Sequence, residues 1–187
     1  MVKKIATCVL ISGTGSNLKS LIKSSREYSF PLKIKLILSN NNKAYGLRYA
    51  KKYNIPYKFF NFKNKNLFER NCLRELKKKK IKILCLAGFM KVLSKDFIKI
   101  FGNKILNIHP SLLPKYKGLN TYKKALLNNE TYSGCTVHFV NAKLDSGSII
   151  LQKKVKINKN ETENSLQKKI LVREHQLYPK AIRLLFR

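Results

Sequence analysis

Residues 5–12 form an unbroken apolar run, IATCVLIS, that meets Gly13-Thr14-Gly15-Ser16-Asn17 and then a helical spacing at Leu18, Leu21 and Ile22. A run without polar alternation, rich in branched side chains, is a strand covered on both faces, which calls for helices above and below a parallel sheet. A glycine turn between strand and helix gathers backbone N–H groups and the positive end of the helix dipole at one point, an anion site. It is not the dinucleotide fingerprint, since no glycine stands at the third position, and no Gly-Lys-Ser/Thr follows. On the residues alone, a phosphate cradle and a structural turn are both open. As a cradle, it needs Gly15 bare so that a phosphate can reach the N–H groups.

The alternation continues down the chain. Strands are expected at 33–39, 55–60, 81–86, 133–140 and 149–157, with a short apolar run at 105–106 leading into Asn107 and His109. Helices are expected at 43–53, at 66–79 with Leu67, Leu73 and Leu76 inward, from an N-cap at Ser94 to 100, and at 121–127. A closing helix at 163–185 has apolar positions at 166, 170, 177, 181, 184 and 185. The expected fold is α/β: one domain over 1–187, a Rossmann-like open twisted sheet, mostly parallel, with helices on both faces. Ligands in such sheets sit outside the carboxyl ends of strands, so 13–17, 88–93 and 107–109 are expected to share one cleft. Phe89 and Met90 in that loop read as core plugs.

The chemistry-bearing stretch is LNIHPSLLPKYKG, residues 106–118. Residues two apart on a strand face the same way, so Asn107 and His109 project together. Pro110 and Pro114 hold the next segment rigid and extended. Asp145 lies in a second turn, Leu144-Asp145-Ser146-Gly147. An amide, an imidazole and a carboxylate together can polarise a carbonyl and pass a proton. His138, alternating with apolar neighbours, reads as a strand histidine with an ordinary partner.

Forty Lys and Arg against nine Asp and Glu give a formal charge of +31, which raises a nucleic-acid partner. Only seven of the forty are arginine, the preferred reader of phosphates and base edges, and the lysines are spread along the chain. With abundant Asn and Ile and no Trp, this is the mark of coding drift toward A and T; a nucleic-acid partner is not expected. Cys8, Cys72, Cys85 and Cys135 show no metal-ligand spacing, and no metal is expected. Cys8 and Cys85 sit inside apolar runs and read as small core residues, a pattern that fits a reducing, cytoplasmic setting. The run at 81–93 contains Lys82 and Lys91 and is too short to span a bilayer, so no membrane partner is expected.

The segments SGTGSNL (12–18), LAGFMKVLS (86–94), NIHPSLLPKYKGL (107–119), VHFV with LDSG (137–147) and EHQLYP (174–179) resemble the glycinamide ribonucleotide formyltransferases. These belong to the folate-dependent formyltransferases, and the likeness covers nearly the whole chain in order. It implies a formyltransferase fold. It also implies transfer of the formyl group of a co-substrate, 10-formyltetrahydrofolate, to the amine of glycinamide ribonucleotide (GAR) in purine biosynthesis. By the resemblance, Asn107, His109 and Asp145 match the catalytic trio. Gly15, Ser16, Asn17 and Glu174 match the GAR-binding residues. Lys65, Met90, Lys91, Val92, Leu93 and Asn141, with Asn107 and Asp145, match the folate side. Asn120 and Tyr122 depart from histidines common in relatives, Leu171 from an amide, and Ser148 from a proline. The catalytic domain of methionyl-tRNA formyltransferase and formyltetrahydrofolate hydrolase are the alternatives. Both are expected to carry a further domain.

Overall fold

The computed structural model describes residues 4–102 and 104–186. Seven strands form one sheet in the order β3-β2-β1-β4-β5-β6-β7. They are β1 (Ile5–Ile11), β2 (Leu32–Ser39), β3 (Tyr57–Phe59), β4 (Ile83–Leu86), β5 (Lys104–His109), β6 (Tyr132–Phe139) and β7 (Ile149–Lys156). The first five run parallel, β6 pairs antiparallel with β5, and β7 pairs antiparallel with β6. The order reverses beside β1, so β1, β4 and β5 are neighbours. Their carboxyl ends bring the glycine turn, residues 87–93 and His109 to one rim, as expected of such sheets.

Two apolar layers flank the sheet. One joins Val9, Ile11 and Leu106 to Leu18 and Ile22 of α1 (Ser16–Ser25) and to Leu166, Ile170, Leu177 and Tyr178 of α6 (Glu163–Leu185). The other joins Cys8, Leu10 and Leu84 to Phe68, Cys72 and Leu76 of α3 (Lys65–Lys78) and to Phe97 of α4 (Lys95–Phe101). Cys8 and Cys85 are core residues, and all four cysteines are free and buried. The Tyr178 hydroxyl donates to the carbonyls of Leu106 (3.0 Å) and Leu86 (3.2 Å), fixing α6 beneath the two central strands. α2 (Gly46–Lys52) and α5 (Thr121–Leu127) complete the set.

Several expectations shift. Leu76 is buried and Leu73 packs against the core as expected, but Leu67 is exposed, and Phe68 and Cys72 complete the inner face of α3. Leu184 is exposed as well, while Ala181 and Ile182 are buried at that end of α6. α2 begins only at Gly46, because Ala44 and Tyr45 are spent on the turn that precedes it. β3 is three residues long, and β4 starts at Ile83 although the Lys82 N–H still donates to the Ala6 carbonyl at 2.8 Å. Ser94 caps α4 as expected, accepting from the Phe97 N–H at 3.0 Å. Thr162 and Ser165 form a capping box on α6.

Candidate active site

β5 presents Asn107 and His109 on one face, and its antiparallel neighbour sets His138 opposite Asn107 and Thr136 opposite His109. His138 Nδ1 donates to the Phe139 carbonyl at 2.7 Å. Its Nε2 is therefore free to accept from the Asn107 amide, 3.2 Å away. Burial disfavours the charged imidazole and lowers the His138 pKa, so the neutral ring is the form that suits both contacts. One amide hydrogen of Asn107 is thus committed to His138 and the other is available.

His109 is buried and makes a different pair of contacts. Its Nε2 donates to the Tyr116 carbonyl at 2.9 Å, and Nδ1 faces Asp145 Oδ2 at 3.4 Å. Both ring nitrogens face acceptors, so each is placed to donate when it carries a hydrogen. Asp145 Oδ2 also accepts from the Gly118 N–H at 2.8 Å, and its Oδ1 lies 3.7 Å from His138 Nε2. Asp145 holds a left-handed backbone, φ 44°, which an aspartate tolerates in a turn but does not seek. Lys117 donates to Ser146 at 2.6 Å, so the segment after the prolines and the 144–147 turn are held together twice. Thr136 secures the start of that segment, donating to the Ser111 carbonyl (2.6 Å) and accepting from the Leu113 N–H (3.1 Å).

The glycine turn lies on the same rim. Gly15 caps α1 in the left-handed conformation, φ 72°, and no side chain caps the helix. α3, α4 and α6 are capped by Asn64, Ser94 and Thr162, whereas α2 and α5, like α1, have no side-chain cap. The first N–H groups of α1 are therefore left for another acceptor. The bare Gly15 has a packing cause that the sequence did not show: a Cβ there would stand 2.5 Å from Gly46 Cα. Asn17 and Glu174 meet beneath the turn, with Asn17 Nδ2 donating to Glu174 Oε2 at 2.6 Å. Burial pushes the Glu174 carboxyl up to about 7. Ser16 is half-buried at the first position of α1.

Ser12 joins this turn to the 87–93 loop. Its N–H donates to the Gly88 carbonyl at 3.1 Å, while its hydroxyl accepts from the Met90 N–H at 2.9 Å and donates to Asn40 at 2.7 Å. Phe89 is a core plug, but Met90 and Val92 are exposed. The expectation that Met90 fills the core fails: Phe89 takes the inward position, and Met90, held by its N–H to the Ser12 hydroxyl, is exposed. Leu93 packs inward with Phe68 and Phe97. Lys91 is exposed with Nζ 5.5 Å from the Phe62 ring centroid, just before α3, whose first residue is Lys65. Glu69 of α3 accepts from both the N–H and the hydroxyl of Ser94, at 2.7 and 2.5 Å, closing the loop from below. Asn141 is exposed and caps its own turn through the Lys143 N–H at 3.0 Å.

The structure thus brings Asn107, His109 and Asp145 together, and joins Asn17 to Glu174. Lys65 stands at the start of α3, and Asn141 is exposed in the turn after β6. Sequence reasoning undervalued His138 and passed over Ser12, Tyr116 and Gly118, whose roles arise from backbone contacts and strand pairing. A surface concavity of about 560 Å³ between β7 and α6 is lined chiefly by lysines, and one of about 380 Å³ lies between residues 112–116 and 130–133; neither contains a trio residue.

An open α/β sheet carrying this amide–imidazole–carboxylate corner beside an uncapped helix start is the architecture of a formyl-transfer enzyme. The chain belongs to the formyl transferase family, which it matches over residues 3–182. It is 43% identical over 185 residues to the phosphoribosylglycinamide formyltransferase of Haemophilus influenzae, covering 97% of this chain and 86% of that one. It is 42% identical to the human trifunctional purine biosynthetic protein adenosine-3, over 97% of this chain but 18% of that protein. The chain therefore spans about a fifth of the length of that relative. Among solved structures, the phosphoribosylglycinamide formyltransferase of Brucella melitensis matches with a TM-score of 0.93 at 38% identity, over 98% of this chain and 96% of that one.

Proposed function

We propose that this chain transfers the formyl group of 10-formyltetrahydrofolate to the amine of GAR. What carries the reading is one rim holding both the Asn107–His109–Asp145–His138 network and an uncapped helix N-terminus, in a chain so similar to enzymes named for that activity. The GAR phosphate sits on the N–H groups at Gly15, Ser16 and Asn17, where the helix dipole favours negative charge. The folate lies against exposed Met90 and Val92, with Lys91 and Lys65 facing its acidic tail.

The GAR amine attacks the formyl carbon, forming a C–N bond and moving the carbonyl electrons onto oxygen. The uncommitted N–H of Asn107 and the Nδ1 side of His109 stabilise that oxyanion. At 3.4 Å the His109–Asp145 contact is long, so a proton held there can be shared with substrate. Asp145 receives the amine's proton, directly or through water, and the tetrahedral intermediate collapses by breaking the bond to folate N10, which takes up a proton. His138, kept neutral by burial, acts as a positioning residue by fixing the Asn107 amide. The steps use no metal. A cytoplasmic setting suits the four free cysteines, and no helix among the described residues is long and apolar enough to cross a membrane.

The test is turnover with purified GAR and 10-formyltetrahydrofolate, followed by the folate absorbance change. Saturable, GAR-dependent turnover is expected. A well-folded enzyme that ignores GAR, or that formylates methionyl-tRNA with a higher kcat/KM, overturns the reading.

A further inference from the structure

Among the nine acidic residues of this +31 chain, Glu174 stands apart from those held by cations. Glu27, Glu75, Glu130 and Glu161 each pair with a lysine or arginine. Glu174, 4% exposed, does not: its one hydrogen-bond donor is the neutral amide of Asn17, which is itself 7% exposed. The other groups facing it are neutral too. Tyr122 of α5 and Cys135 of β6 both have their pKa raised by burial and by Glu174, the thiol to about 12, so each keeps its proton near neutral pH. On its own helix, neighbouring Arg173 acts on Cys135, and neighbouring His175 is held toward its neutral form by burial and by Lys19 of α1.

A second observation comes from the other side of the contact. Asn17 Oδ1 is buried and has no hydrogen-bond partner among the described residues. A carboxylate has only acceptors to offer that oxygen, whereas a carboxylic acid carries an O–H donor. An acid and a primary amide meeting edge to edge satisfy each other twice: amide N–H to acid oxygen, and acid O–H to amide oxygen. The buried orphan acceptor therefore calls for a proton on Glu174.

Asn17 is also the second residue of α1, at the point where an anion meets the helix N-terminus. An ionised Glu174 would place a negative charge directly behind a bound phosphate. We propose that Glu174 and Asn17 form a neutral acid–amide pair, and that a phosphate-bearing substrate binds with Glu174 protonated, losing affinity as that carboxyl ionises. The substrate half of this rests on the GAR reading; the pair itself does not. The direction follows from the environment: burial lifts the carboxyl to about 7, and a neighbouring dianion lifts it further. Affinity should then fall by about tenfold per pH unit above the free-enzyme value.

Two measurements decide it. First, the side-chain carboxyl carbons of the free enzyme, labelled with ¹³C-glutamate, are titrated by NMR, with Glu174→Gln assigning the signal by its disappearance. A midpoint near neutrality is expected, and an ordinary carboxylate midpoint overturns the pair. Second, GAR binding is measured calorimetrically from acid to alkaline pH in buffers of different ionisation enthalpy. The wild type should take up close to one more proton per GAR at alkaline pH than Glu174→Gln does, and should lose affinity more steeply. Identical proton counts and parallel affinity curves overturn the substrate half. If GAR binds at no pH, the GAR reading fails, and the NMR titration still decides the pair.

Discussion

Asp145 and Glu174 are carboxylates on the same rim in opposite surroundings. Asp145 is met by the Gly118 N–H at 2.8 Å and by His109 Nδ1 at 3.4 Å, both able to donate to a negative charge, with the neutral His138 ring 3.7 Å away. Glu174 sits among Tyr122, Cys135 and a single amide, with nothing cationic bonded to it. The difference shows how one fold supplies two kinds of acid group: donors from a loop make a proton acceptor, and an apolar helix interface makes a proton holder. Within this account the first belongs to chemistry and the second to binding.

The comparison breaks most visibly at Asp145. Asp145→Asn keeps the shape and an acceptor for Gly118 but removes the negative partner of His109, so kcat should fall by roughly 10²–10⁴. KM for both substrates should change far less, which steady-state kinetics will show. Glu174→Gln should act on stability instead. With a native pKa of about 7 against 4.5 when exposed, the wild type carries no penalty below pH 4.5, where both states hold the proton. As pH rises toward 7 the unfolded chain ionises first, and wild-type stability falls by on the order of 3 kcal/mol, complete above pH 7. Glutamine lacks this loss, so urea unfolding of the two proteins should coincide near pH 4.5 and separate by pH 8. Separation in the opposite sense would place a stabilised carboxylate at 174.

Gly15→Val should cost stability first. Its Cβ would press on the Gly46 backbone from a left-handed φ, a combination worth about 1–3 kcal/mol, and thermal melting should report it. A selective rise in KM for GAR with an unchanged melt would instead assign the bare position to the phosphate alone. His138→Phe should leave the Asn107 amide without its acceptor and lower kcat by about tenfold, with its effect vanishing in an Asn107→Ala background. Independent effects would mean that His138 does not act through Asn107.

What was legible in the sequence was local. A strand, a glycine turn and a helix announce themselves within residues 5–22, and the period of a strand alone puts Asn107 and His109 on one face. What was not legible depended on pairing. His138 reads as an ordinary strand residue until the register of β6 sets it opposite Asn107. Leu67 and Phe68 are adjacent apolar residues, and only the orientation of α3 against the sheet chooses Phe68 for the core. The Asn17–Glu174 contact joins residues 157 positions apart, and the protonation that it implies follows from burial, which no local motif encodes. Asn107, His109 and Asp145 were readable as a chemical group from their residue types, while the substrate residues came from likeness to a family; the geometry explains how they can work, through Tyr116, Gly118 and Ser12, to which the likeness assigned no role.

The central claim is that Asp145 and His109 act as one unit. The direct test is kcat across pH for Asp145→Asn, His109→Ala and the double variant, each confirmed as folded by its melt. Residues sharing one task give a double variant little slower than the slower single one, with the same flattened pH profile, and that is the expected result. Losses that multiply, or an Asp145→Asn enzyme within a few-fold of wild type, would contradict the account.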